Sequence, residues 1–125
     1  MEALYLAASV CYEAHDYEQS ALLFTSLVQE FPFEAACWKG LASSEQMRTN
    51  YEAALCAWGV SALLNDKDPW VHFHAAECYL SLGNYEEAQK ALSMAETLTS
   101  LAPHEDLASK LELLKTIHTP LTSSL

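Results

Sequence analysis

Four thiols, two neighbouring imidazoles and a scatter of carboxylates are the groups in this 125-residue chain that could do covalent or metal chemistry. Their spacing argues against it. Cys11, Cys37, Cys56 and Cys78 never stand two or three residues apart, so no zinc-site spacing exists, and in a helical chain they read as small buried hydrophobes. His72 and His74 are two apart on a helix and point in different directions, and His72 falls where a packing residue is expected. Glu13, Glu77 and Glu86 have no third group to orient them as an acid–base pair. No Gly-rich phosphate loop, His-Glu-x-x-His or Gly-x-Ser-x-Gly is present. The expectation is a non-enzyme with no catalytic or metal-ligating residues and no cofactor. The chemistry left is recognition by apolar and aromatic side chains: Tyr5, Tyr12, Met47, Trp70, Phe73 and Leu80 fall off the stripe that packing between helices needs.

Those residues are placed by a repeat. Tyr-Glu occurs at Tyr17-Glu18, Tyr51-Glu52 and Tyr85-Glu86, a constant offset of 34, each followed by a small residue at Ser20, Ala54 or Ala88. A 34-residue period with helix-turn-helix chemistry is the signature of tetratricopeptide repeats. Asp68 to Ala88 is the clearest copy, with Pro69 in a first helical turn, Gly83-Asn84 as the break and Tyr85 restarting the apolar pattern. Trp38, Leu41 and Ala42 match the Trp-x-x-Leu-Gly part of the pattern, with Ala for Gly. Thr49-Asn50 replaces the usual glycine turn, Asn50 being the residue that tolerates a left-handed conformation.

The fold class expected is all-α: three repeats, about 1–34, 35–68 and 69–102, in a right-handed superhelical array, plus a polar-backed capping helix of about 103–118. Residues 1–118 then form a single domain and 119–125 a flexible tail. The second helices bury Ala21, Phe24, Leu27 and Val28 in repeat one and Ala54, Leu55, Trp58 and Leu63 in repeat two. The first helices make the inner wall. In repeat one the wall positions are Glu2, Tyr5, Ser9, Tyr12 and Glu13. In repeat two they are Ala36, Lys39, Ser43, Gln46 and Met47. In repeat three they are Trp70, Phe73, Glu77, Leu80 and Ser81. A concave apolar wall with scattered polar groups suits an extended peptide; the competing expectation is that the last helix folds back over it or that the frame is off by a residue. The frame opens at Met1, so either Tyr5 and its neighbours face solvent or an upstream segment has been removed, and we favour removal.

Composition narrows the partner. The formal charge is −11, and no Lys or Arg precedes Lys39. Nucleic acid and anionic lipid both need clustered cations, so neither is expected. No apolar run is long enough to span a bilayer, and no basic n-region opens the chain, so a cytosolic location is expected.

The run Pro69 to Leu82, above all Phe73-His74-Ala75-Ala76-Glu77-Cys78, resembles the third repeat of the class II chaperones of bacterial type III secretion, the SycD/LcrH/IpgC group. Leu4-Tyr5, Tyr12, Tyr17-Glu18, Phe24, Trp38-Lys39-Gly40-Leu41 and Tyr51 to Leu55 also fall where that family has matching or similar residues. The resemblance implies a bacterial cytoplasmic chaperone, a virulence factor, that holds an extended, proline-containing segment of a hydrophobic translocator in its concave groove and keeps it soluble before secretion. It implies groove contacts by Tyr5, Tyr12, Phe24, Leu41, Trp58 and Phe73, with Ser9 where some relatives have Phe. With the wall positions Lys39, Ser43, Met47, Trp70 and Glu77 these make the expected peptide-binding set. Relatives also use a helix ahead of the first repeat in dimer contacts, which leaves a homodimer open. The alternative is a general repeat scaffold for another peptide. A clamp for the acidic tail of a heat-shock chaperone needs Lys, Asn and Arg where this chain has Tyr5, Ser9, Trp70 and His74.

Overall fold

The computed structural model describes residues 1–123, with side chains described through Lys115. It is all-α. Three helical hairpins follow one another: α1 (Glu2–Glu13) with α2 (Tyr17–Glu30), α3 (Ala35–Met47) with α4 (Tyr51–Leu64), and α5 (Pro69–Ser81) with α6 (Tyr85–Leu101). A seventh helix, α7 (Glu105–Ser123), packs on the last pair.

The 34-residue period survives in three dimensions. Ala8, Ala42 and Ala76 are fully buried at one repeat position, and Ser20, Ala54 and Ala88 at another. Small side chains there let neighbouring helices approach closely, and a larger one would overpack the contact. Ser20 and Ser44 meet hydroxyl to hydroxyl at 2.8 Å in this interior, and Ser44 donates to the carbonyl of Gly40 or Ser20 to that of Tyr17, so the buried polar atoms are satisfied. Among the described residues none covers the outer face of α1. Val10, equivalent to the buried Ser44 and Cys78, is 59% exposed, and Leu6 is 64% exposed.

Each hairpin turns in the same way. His15, Thr49 and Gly83, again 34 apart, have φ of 64°, 64° and 78°. The amides of Asp16, Asn50 and Asn84 then reach back to the carbonyls of Cys11, Glu45 and Tyr79, closing the preceding helix. The left-handed residue in repeat two is therefore Thr49 and not Asn50, whose φ of −86° starts the next helix. Polar side chains cap α2, α5 and α7: Asp16 accepts from the Gln19 amide, Asp68 from that of Trp70 and His104 Nδ1 from that of Leu107.

Three expectations need correction. Leu63 is 86% exposed, because Ala62 and Ser61 take the inward positions at the end of α4. Cys56 is exposed on α4 and Cys11 only half-buried on α1, unlike Cys37 and Cys78, which are buried as expected. The capping helix starts at Glu105 and runs on to Ser123, past the His118 end and into the stretch expected to be a tail. Residues 124–125 of that tail lie outside the described residues.

Candidate functional site: an aromatic pocket between the first two repeats

Helices α1 and α3 face each other across a pocket of about 320 Å³. Tyr5, Ser9, Tyr12 and Glu13 of α1 line one side, and Ala36, Lys39, Gly40 and Ser43 of α3 the other. The spacing of 4, 3 and 1 puts the α1 set on one helical face. Phe24 of α2 forms the floor. It is 3% exposed and reaches the pocket because Gly40 has no side chain: a Cβ there would clash with the edge of the Phe24 ring. Tyr5 stands edge-on to Phe24 with centroids 5.6 Å apart, and Tyr12 edge-on to Tyr17 at 5.3 Å. Burial, then the neighbouring Tyr17 and Glu13, push the Tyr12 phenol above its ordinary pKa, so it enters the pocket as a neutral hydroxyl.

Beyond the pocket the wall is polar and knitted together. Lys39 Nζ lies 2.6 Å from Asp68 Oδ2, the capping residue of α5, tying α3 to the start of α5. Gln46 donates to Glu77 Oε1 at 3.1 Å and accepts the Trp58 indole N–H at 2.9 Å. The His74 ring, whose Nδ1 lies 2.7 Å from the same Glu77 oxygen, stacks between Trp58 and Trp70, at centroid distances of 5.2 and 5.8 Å. Met47 is 49% exposed at the end of α3.

Six of the twelve expected binding residues thus share one pocket: Tyr5, Ser9, Tyr12, Phe24, Lys39 and Ser43. Met47 and Glu77 lie further along the wall. Four are elsewhere. Leu41 is two residues from Lys39, about 200° round the helix, and lies in a different cleft with Ala21, Leu22 and Ala53. Trp58 is 2% exposed among Ala42, Val71 and Cys78. Phe73, at 6% exposure, is sealed under α7 by Leu107 and Leu111. Trp70 is half-buried beside the same cluster, with His104 against its ring and Lys110 Nζ 5.2 Å from its centroid.

The covering of Phe73 has a cause in the repeat frame. Pro103 is 34 residues after Pro69, but the positions equivalent to the buried Val71, Ala76 and Cys78 are Glu105, Lys110 and Glu112. Continuing the register would bury three charges. Helix α7 instead turns Leu107 and Leu111 inward, and they come down on the inner wall of repeat three. Gly40 is the pocket residue that sequence reasoning passed over. A glycine inside a helix, which weakens it, was the available signal.

Outside the pocket, burial is the first cause of the shift at three groups. Burial, then Glu77, push the Cys78 thiol up to about 12, and burial, then Glu34, raise Cys37. Burial lowers the pKa of His72, against an opposing pull from Asp68. Among the described residues no group of three or more His, Cys, Asp or Glu is placed to hold a metal ion, and no helix is long and apolar enough to cross a membrane.

Residues 2–33 and 71–96 match the Tetratricopeptide repeat family. The chain is 30% identical over 103 residues to the low calcium response locus protein H of Yersinia pseudotuberculosis, covering 82% of this chain and 61% of that protein. It therefore spans about three fifths of the length of such curated relatives. Among solved structures it is similar to PcrH in complex with the chaperone binding region of PopD, at 30% identity and a TM-score of 0.92 over 97% of this chain and 92% of the other; PcrH is a Pseudomonas aeruginosa protein. It is also similar to the type III secretion chaperone SycD of Yersinia enterocolitica in complex with a peptide of the translocator YopD, at 28% identity and a TM-score of 0.86 over 89% of this chain and 86% of the other. Three repeats on a 34-residue frame, an aromatic pocket between the first two, and a match to PcrH along nearly the whole chain lead to one conclusion: the chain belongs to the tetratricopeptide-repeat family of type III secretion translocator chaperones.

Proposed function

We propose that this protein is a bacterial cytoplasmic chaperone that holds an extended, proline-containing segment of a hydrophobic translocator against α1 and α3, keeping it soluble until secretion. The observation that carries the reading is the open pocket of Tyr5, Tyr12 and Phe24, in a chain whose relatives PcrH and SycD have been solved with translocator segments bound. A bulky apolar side chain gains about 1.5–3 kcal/mol when fully buried. Two such anchors supply about 3–6 kcal/mol before the entropy lost by an extended chain on docking, short of the about 8 kcal/mol of micromolar binding, so affinity of micromolar or tighter needs backbone and flanking contacts along the wall as well. We assign no catalysis, since the buried thiols are held protonated and the wall carboxylate Glu77 is engaged by Gln46 and His74. SycD is known in an alternative dimer, and the exposed Leu6 and Val10 of α1 give this chain an apolar surface for pairing.

Titrating the purified protein with fluorescent peptides from the PopD and YopD chaperone-binding regions tests the reading. Ser9→Trp, which fills the pocket from α1, should weaken binding at least about tenfold, a cost of about 1.4 kcal/mol, as should Tyr5→Ala. Undiminished binding by both folded variants would exclude the pocket.

A further inference from the structure

Building on that reading, we propose that the bound segment carries a lysine or arginine about two to four residues from the apolar side chain that enters the pocket, and that this cation pairs with Glu13. The pocket contains two charged side chains, Lys39 and Glu13. Lys39 is matched by Asp68 at 2.6 Å. Glu13 is exposed, faces the pocket and forms no ion pair among the described residues.

Among the described residues no Lys or Arg is paired with it. Residues 1–38 contain no Lys or Arg, while Glu2, Asp16, Glu18, Glu30 and Glu34 add to the negative field on this end of the molecule. Glu77, a carboxylate further along the wall, has its Oε1 within 3.1 Å of Gln46 Nε2 and 2.7 Å of His74 Nδ1. An incoming cation therefore meets one unmatched charge, at one end of the pocket.

The distance follows from helix geometry. Tyr5 and Glu13 are eight residues apart on α1, about 12 Å at 1.5 Å per residue. An extended chain advances about 3.3 Å per residue, so four residues cover the span, and the reach of a Lys or Arg side chain shortens that to two or three.

The probe is a synthetic array of twelve-residue extended peptides, each with one Leu, Met or Phe anchor and a Lys, Ala or Glu scanned at one to six residues from it. The full chain is titrated at low and high salt. Lys should bind about two- to fivefold tighter than Ala at spacings of two to four, as expected for a part-exposed pair. Salt should shrink the gain, Glu13→Gln should abolish it, and Glu13→Lys should transfer the preference to Glu. Equal binding of Lys and Ala peptides, with Ser9→Trp still blocking both, would overturn the charge pairing and leave the groove reading standing. Binding that ignores Ser9→Trp, or no binding by any peptide, would overturn both.

Discussion

The ring of Phe24 fills the space that a side chain on Gly40 would need, which fixes the floor of the pocket. Gly40→Ala should displace that ring and destabilise the protein by about 1–3 kcal/mol, the usual cost of overpacking. It should also weaken peptide binding. Gly59 in α4 has nothing within 4 Å of its would-be Cβ, so Gly59→Ala should stabilise by about 0.5–1 kcal/mol through helix propensity. Urea midpoints moving in opposite directions would confirm both.

The three turns make a second comparison. Thr49 holds a φ of 64° with a β-branched side chain, where Gly83 holds 78° with none. Left-handed geometry costs a residue with a Cβ about 1–2 kcal/mol, partly offset by the extra freedom glycine brings to the unfolded chain. Thr49→Gly should therefore raise the thermal midpoint and Gly83→Thr lower it. A midpoint that Gly83→Thr leaves unchanged would contradict the turn assignment.

Cys78 links stability to alkaline pH. Its thiol is raised from 9.0 to about 12 by burial, then Glu77. The folded state therefore keeps a proton that the unfolded state gives up, so the unfolded state binds fewer protons above pH 9. This contribution is fully present below 9 and is lost as pH climbs toward 12. Stability of Cys78→Ala should fall less steeply over that window than that of the wild type. At neutral pH, iodoacetamide should modify the exposed Cys56 well before the buried Cys37 and Cys78.

Asp68 does two jobs, capping α5 through the Trp70 amide and pairing with Lys39. Asp68→Asn keeps a capping oxygen and should cost no more than about 1 kcal/mol, given that Lys39 is 39% exposed. Asp68→Ala loses the cap as well and should cost about 0.5–2 kcal/mol more. Chemical denaturation of the pair separates the two roles.

The repeat frame was readable because it is written in local chemistry: Tyr-Glu after each turn, and small residues where helices touch. That frame was enough to bring Tyr5, Ser9, Tyr12, Lys39 and Ser43 to one face. Leu41 and Trp58 were carried over by resemblance, and the helical angle from Lys39 already sends Leu41 elsewhere. The fate of Phe73 was not readable, because α7 leaves the repeat register and its docking depends on which charges it must keep out of the core. Lys39 and Asp68, twenty-nine residues apart, meet only once two hairpins are stacked.

Because α7 seals Phe73, a client held as proposed would be gripped only in the cleft formed by two hairpins out of three. The footprint is short. A long translocator clasped there would be masked over one brief stretch, with its flanks trailing free on both sides, so release needs only that single stretch to be peeled away.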